Sequence, residues 1–232
     1  MTTLLRDSRV ERLPEAARRY LDHAIAPAAL PAREVRLRMH GDIRLKGWAP
    51  FEAEETIRAG RDMRWNARTK VGGLPVSGFD EAVRGFGKSA WKLFGVLPIA
   101  FAHGEDVSRS AIGRMAAESI WLPIVLQDER VRWTSDGPDE ATFALELFGR
   151  TTEVSLGLLP SGAVETIAFE RWGNPGGLPF GLYRFGGYIE EETCFGGFTI
   201  PSRVRLGWHF GTDRFEAEGE FFRAVIDEAE FQ

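Results

Sequence analysis

Thirteen residues, 198–210 (FTIPSRVRLGWHF), constrain the fold more than any other stretch. Phe198, Ile200, Val204, Leu206, Trp208 and Phe210 hold the even positions, interrupted by Ser202. Thr199, Pro201, Arg203, Arg205, Gly207 and His209 hold the odd ones. A period of two sends alternate side chains to opposite faces, so the run predicts a long antiparallel strand with one covered face and one wet face. Gly196-Gly197 before it and Gly211-Thr212-Asp213 after it supply the turns.

The same period recurs along the chain. Residues 34–46, 51–58, 63–71, 74–84 and 88–101 read as strands in the first half; 130–134, 141–148, 152–159, 164–172, 182–195 and 215–227 do so in the second. The outward positions of the first three runs are basic (Arg36, Arg38), acidic (Glu52, Glu54) and basic (Arg64, Arg68). Strands laid side by side in that order set opposite charges facing one another. Each such pair contributes roughly 0.2–1 kcal/mol and helps fix register. Phe221-Phe222 breaks the alternation of its run and predicts a bulge or burial on both sides.

Two segments have a helical period instead. In residues 1–31, Leu13-Pro14 suits a helix start, since proline at the first helical position loses no hydrogen bond. Ala17, Tyr20, Leu21, Ala24 and Ile25 form one stripe, and Pro27 and Pro31 end it. In residues 106–122 the stripe is Ile112, Met115, Ala116, Ser119 and Ile120, with Asp106 or Ser108 as the cap and Pro123 as the stop. About eleven strands with short turns and no βαβ alternation predict a mainly β fold. The expected architecture is a single curved antiparallel sheet, an incomplete barrel, with one or two helices covering its concave face. A sheet that wide curls or closes, because a flat one exposes its edges. Residues 1–232 read as one domain, for no repeat, linker or low-complexity run divides them.

Composition narrows the function classes. An apolar fraction of 44% supports a sizeable core, and a net charge of -5 lacks the basic footprint of a nucleic-acid binder. The lone cysteine, Cys194, excludes an intramolecular disulfide and reads as a small buried apolar side chain. The first residues show no apolar signal core, and no window reaches the ~18 uninterrupted apolar residues of a membrane span. A cytoplasmic protein is expected.

Motifs that suggest chemistry fail on context. The segment 82–89 (AVRGFGKS) approaches a phosphate-binding loop, but residues 90–98 (AWKLFGVLP) are poor helix in antiparallel surroundings, so no nucleotide site is expected. His23, His40, His103 and His209 share no metal-ligand spacing; no metal or cofactor is predicted. Glu190-Glu191-Glu192 lies mid-strand, so at least one of these carboxylates points toward the apolar side or a cavity rim, and a salt bridge to Arg203 or Arg205 is its structural reading.

Four segments carry a resemblance: AAESIWLP (116–123), RWGNP (171–175), FGGYIEEETCFGGFTIPSRVRLGWHFGTDRF (185–215) and EGEFFRAVID (218–227). They resemble members of a mainly bacterial domain family of unknown function, which supplies no catalytic residues to carry over. In element order the chain is also similar to lipoprotein carriers of the LolA/LolB type. Those wrap a curved sheet around plugging helices and hold acyl chains between. The chain departs from them in having no evident export signal or lipidated cysteine.

The expectation for function is non-enzymatic binding of an apolar or lipid-like small molecule. Trp65, Trp91, Trp121, Trp172, Tyr188, Phe198, Trp208 and Phe210 supply the inward aromatic surface. One alternative is an enzyme acting on a hydrophobic substrate, with Glu118, Glu191 and His209 as acid and base; it requires at least two of these to meet in one cleft. Another is an oligomeric or partner-binding module with a solid core and an exposed apolar patch.

Overall fold

Thirteen strands form one antiparallel sheet in the computed structural model, which describes residues 10–232. The expected helical character of residues 1–9 lies outside the described residues. Helix α1 (Glu15–Ala24) comes first, then a six-stranded meander: β1 (Glu34–Arg44), β2 (Trp48–Arg58), β3 (Asp62–Val71), β4 (Leu74–Val83), β5 (Phe86–Leu93) and β6 (Leu97–His103). Helix α2 (Glu105–Ala117) and two 3-10 segments (Glu118–Trp121 and Pro123–Gln127) come next. The second meander is β7 (Arg132–Gly137), β8 (Glu140–Leu147), β9 (Arg150–Leu158), β10 (Val164–Gly173), β11 (Gly181–Phe195), β12 (Phe198–Trp208) and β13 (Glu220–Phe231). The last strand pairs with the first, giving the order β6-β5-β4-β3-β2-β1-β13-β12-β11-β10-β9-β8-β7.

The sheet curls because α2 touches both of its halves. It packs on β4 and β5 and also on β8, β9 and β10. Eight spacings separate β5 from β10, roughly 38 Å in a flat sheet, against about 10 Å for a helix. The turn at Gly85, between β4 and β5, reaches Phe148, between β8 and β9, where a glycine Cβ would lie 3.0 Å from the Phe148 Cβ. Helix α1 plugs the other part of the concave face, against β7, β8 and β12, and its Tyr20 ring lies 5.8 Å from Trp133. Leu21, Leu37, Leu126, Phe143 and Ile200 are fully buried in the core between. Each such side chain contributes about 1.5–3 kcal/mol.

The charge order on the outer face sets β1 beside β2 and β2 beside β3 as expected, with Arg38 opposite Glu54 and Glu52 opposite Arg68. On its other side β1 meets β13, where Arg38 pairs with Glu228 at 3.1 Å and His40 with Asp227 at 2.9 Å.

Four expectations are corrected. The run 88–101 is two strands, because Phe94 and Gly95 turn the chain with φ of 53° and 73°. The covering helix is α-helical only to Ala117, and Gly104 precedes it in place of a side-chain cap; Asp106 instead accepts a hydrogen bond from Trp172 Nε1 at 2.9 Å. The run 215–227 opens with a π-helical turn, Phe215–Gly219, before β13 begins. Cys194 is exposed, on the outward side of the β11–β12 hairpin. The 82–89 segment is the β4–β5 hairpin, and Gly87 lies so close to α2 that a Cβ there would come within 2.5 Å of the Val107 carbonyl oxygen.

Candidate functional site

A cavity of about 140 Å³ lies between α2 and the concave sheet face. Its apolar wall is Trp65 from β3, Phe169 from β10, Phe185 from β11, Phe221 and Phe222 from β13, and Trp121 from the 3-10 turn after α2. Phe221 and Phe222 both line it although they are neighbours in sequence. The register between β12 and β13 shifts at Leu206/Gly207, beside them, as the broken alternation predicts.

Charged groups occupy the same space. Arg114 of α2 reaches Glu55 of β2 at 2.9 Å and Asp80 of β4 at 3.5 Å, and its Nε donates to Glu118 one turn on. Glu55 is fully buried. Burial pushes its carboxyl well above the usual range; repulsion from Glu118 adds to the rise and Arg114 opposes it. Arg114 stays charged because Glu118, Glu55 and Asp80 together outweigh its own burial. Arg171 of β10 has no carboxylate within salt-bridge distance among the described residues. It stacks on Phe185 at 4.7 Å and Trp208 at 5.4 Å. Burial, with repulsion from Arg114, lowers its guanidinium to about 10, so it remains cationic at neutral pH.

Three buried polar atoms on this wall have no hydrogen-bond partner among the described residues: Trp65 Nε1, Arg171 Nε and Glu118 Oε2. Two donate and one accepts. Leaving a buried polar group unpaired costs about 1–3 kcal/mol, so ordered water or another polar molecule is expected to meet these three. The wider depression of about 810 Å³ on the outer face differs in kind. Its lining is charged, and His40 and Asp227, which lie in it, already pair with each other.

The residues singled out from sequence divide. Trp65, Trp121 and Glu118 line the cavity. Trp91 packs behind Trp65 at 5.9 Å, its Nε1 bound to Ser89, and Trp208 packs edge-on behind Phe185 at 5.1 Å. The others stand elsewhere. Trp172 is held against the first turn of α2 by Asp106 and lies under Arg109 at 3.6 Å. Phe198 is buried against Phe231 at 4.4 Å. Tyr188 and Phe210 meet each other and Phe215 on the outer face, since Tyr188 lies opposite Arg205 there.

The acid-base set does not assemble. Glu118 is in the cavity, Glu191 is exposed and bound to Arg203 Nε at 3.0 Å, and His209 sits in the turn after β12 with φ of 60°. Bulges beside Glu191 reset the phase of β11, so Glu192 is the half-buried member of the acidic triplet; it binds His23 of α1 at 2.6 Å and the Val164 amide at 3.0 Å.

Three site residues, Glu55, Arg114 and Arg171, are not among those that sequence reasoning singles out. Glu55 continues the inward phase of Phe51, Ala53 and Ile57, and Arg171 that of Ile167 and Phe169. A charge in an apolar phase is the signal that could have found these two; Arg114 carries none.

Residues 3–218 match a family of unknown function, DUF6544. The chain belongs to that family. No curated protein matches its sequence. Among solved structures, this DUF6544 member is similar to a LolA-superfamily protein from Nitrosomonas europaea, with 8% identity, 97% of this chain and 92% of that one covered, and a TM-score of 0.48. It is also similar to a putative outer membrane lipoprotein-sorting protein domain from Vibrio parahaemolyticus, with 8% identity, 96% and 93% covered, and a TM-score of 0.42.

Proposed function

We propose that the protein binds, without chemical conversion, an apolar or lipid-like small molecule in the cavity beneath α2. The observation that carries this reading is the pairing of an aromatic wall with three unpartnered polar atoms, Trp65 Nε1, Arg171 Nε and Glu118 Oε2. A ligand oxygen accepting from Trp65 and Arg171, and a ligand hydroxyl or protonated carboxyl donating to Glu118, satisfy all three. The rest of the molecule lies on the rings of Phe169, Phe185, Phe221 and Phe222. An apolar cavity of about 150 Å³ accepts a benzene-sized molecule, so the void here holds the head and first carbons of such a ligand.

Two measurements test the reading: native mass spectrometry of the gently purified protein, and titration with a fluorescent fatty acid. A bound mass or saturable uptake is expected. In Arg171→Leu, uptake falls about tenfold or more, as for a lost hydrogen bond to a charged donor. A clean apo mass together with no uptake by the wild type removes the proposal.

A further inference from the structure

We infer that one rim of the sheet docks on an anionic lipid surface. The meander fixes which turns share that rim. In an antiparallel run of six strands, the turns joining β1 to β2, β3 to β4 and β5 to β6 lie at one end, and the other two at the opposite end. Neighbouring tips on the rim are two strand spacings apart, about 10 Å. Phe94, at the third tip, donates its amide to the Pro75 carbonyl beside the second, at 2.9 Å.

The tips are apolar and exposed. Leu45 and Trp48 flank the first, Leu74 the second, and Phe94, Val96 and Leu97 form the third, with Val96 76% exposed. They are also one-signed. Segments 43–51, 69–77 and 91–99 contain Arg44, Lys46, Lys70 and Lys92 and not one Asp or Glu, in a chain of net charge -5. All four cations are exposed, and none has a carboxylate partner among the described residues; Arg44 Nη1 donates to the Ala217 carbonyl at 3.0 Å, between Glu216 and Glu218, which bind Arg205 and Arg214. The opposite rim is mixed: Arg58 binds Glu34 and Asp62, and Arg64 binds Glu81.

Phe94 supplies an independent sign. The turn closes with the Val96 amide on the Leu93 carbonyl at 3.2 Å, and both central residues are left-handed, Phe94 at φ 53° and Gly95 at φ 73°. Turns of this type favour Asn-Gly, and a bulky residue there is strained. A large apolar side chain held in a strained position and turned to solvent points to use outside the fold.

Ser77, Lys92 and Gly95 border the charged depression of the outer face, but none of the exposed apolar tip residues lines it. A row of apolar tips among lysines matches the interfacial layer of a bilayer, where rings lie at headgroup depth and each basic residue adds attraction to acidic lipid. The inference is independent of the cavity ligand, although Ile43, on the cavity wall, is next to Arg44 at this rim.

Sedimentation with phosphatidylcholine vesicles, with and without phosphatidylglycerol, tests it. The wild type is expected to sediment with the phosphatidylglycerol vesicles, to be released by salt and to ignore pure phosphatidylcholine. Phe94→Asn suits the turn better than the native residue, so it folds, and its vesicle affinity falls at least about fivefold. Lys46→Glu with Lys70→Glu abolishes the dependence on acidic lipid. Neither change touches the cavity wall, so fatty-acid uptake reports separately on the ligand reading. Wild type left in the supernatant with acidic vesicles, or Phe94→Asn binding like wild type, overturns the inference. So does a wild-type dimer on sizing chromatography that Phe94→Asn splits, which assigns the rim to a second copy of the chain.

Discussion

Glu55 and Arg114 show how a single pair sets the character of the cavity. The carboxyl of Glu55 is raised by burial and by Glu118, so between the ordinary value of 4.5 and its own higher one the folded chain holds a proton that the unfolded chain has released. Its contribution to stability is greatest below that window and falls as pH rises through it. Glu55→Gln removes the titration, and its urea midpoint is expected to decline less than that of wild type as pH rises above 4.5. Glu220 works the opposite way: hydrogen bonds from Arg205 and Arg223 overcome burial and lower its carboxyl, a contribution lost as pH falls. Arg114→Met leaves Glu55 and Glu118 without their cation, and breaking a buried pair from one side costs about 3–5 kcal/mol, to be read by urea unfolding. Much of this site is open to a reader of the sequence, since Glu55 and Arg171 occupy inward phases of their strands. Arg114 is not, because a helical arginine off the apolar stripe looks solvated until the sheet curls over it.

Among the elements, α2 depends on a missing side chain. Gly87 on β5 lets the helix approach, and its neighbour Ser108 accepts the Gly87 amide at 2.9 Å while donating to the Gly104 carbonyl at 2.7 Å. Gly87→Ala forces Val107 away and is expected to lower unfolding free energy by about 1–3 kcal/mol in urea, as overpacking does. Gly47→Ala is the control: no atom lies within 4 Å of a Cβ there, so the change stays within about 0.5 kcal/mol. Alternation makes the strands legible, down to the phase break at Phe221-Phe222. It hides two features that lack its signature. The β5–β6 turn carries Phe94 where turn chemistry calls for Asn, so 88–101 reads as one strand. The π-helical turn at Phe215–Gly219 alternates Phe215, Ala217 and Gly219 with charges by coincidence of composition.

For the molecule as a whole, the void arises from how the sheet is built. Thirteen hydrogen-bonded strands fix the radius of the curl, and two helices of ordinary width do not fill it, so space remains beside α2. A void that merely escaped packing and a void kept for a ligand respond differently to being filled. Ala117 faces the cavity from the end of α2. Ala117→Leu adds apolar volume there, so without ligand its melting temperature is expected to equal or exceed that of wild type. A ligand at about a hundred times its dissociation constant stabilises the wild type by about 2.7 kcal/mol, a rise readable by thermal denaturation with the fatty-acid probe. Ala117→Leu loses that rise if the space is the binding site. Should the filled variant keep the full rise, the ligand sits somewhere other than beneath α2, and the unpartnered atoms of Trp65, Arg171 and Glu118 serve no recognition. Stability gained while the ligand response disappears is the outcome that ties the curl of the sheet to the proposed binding.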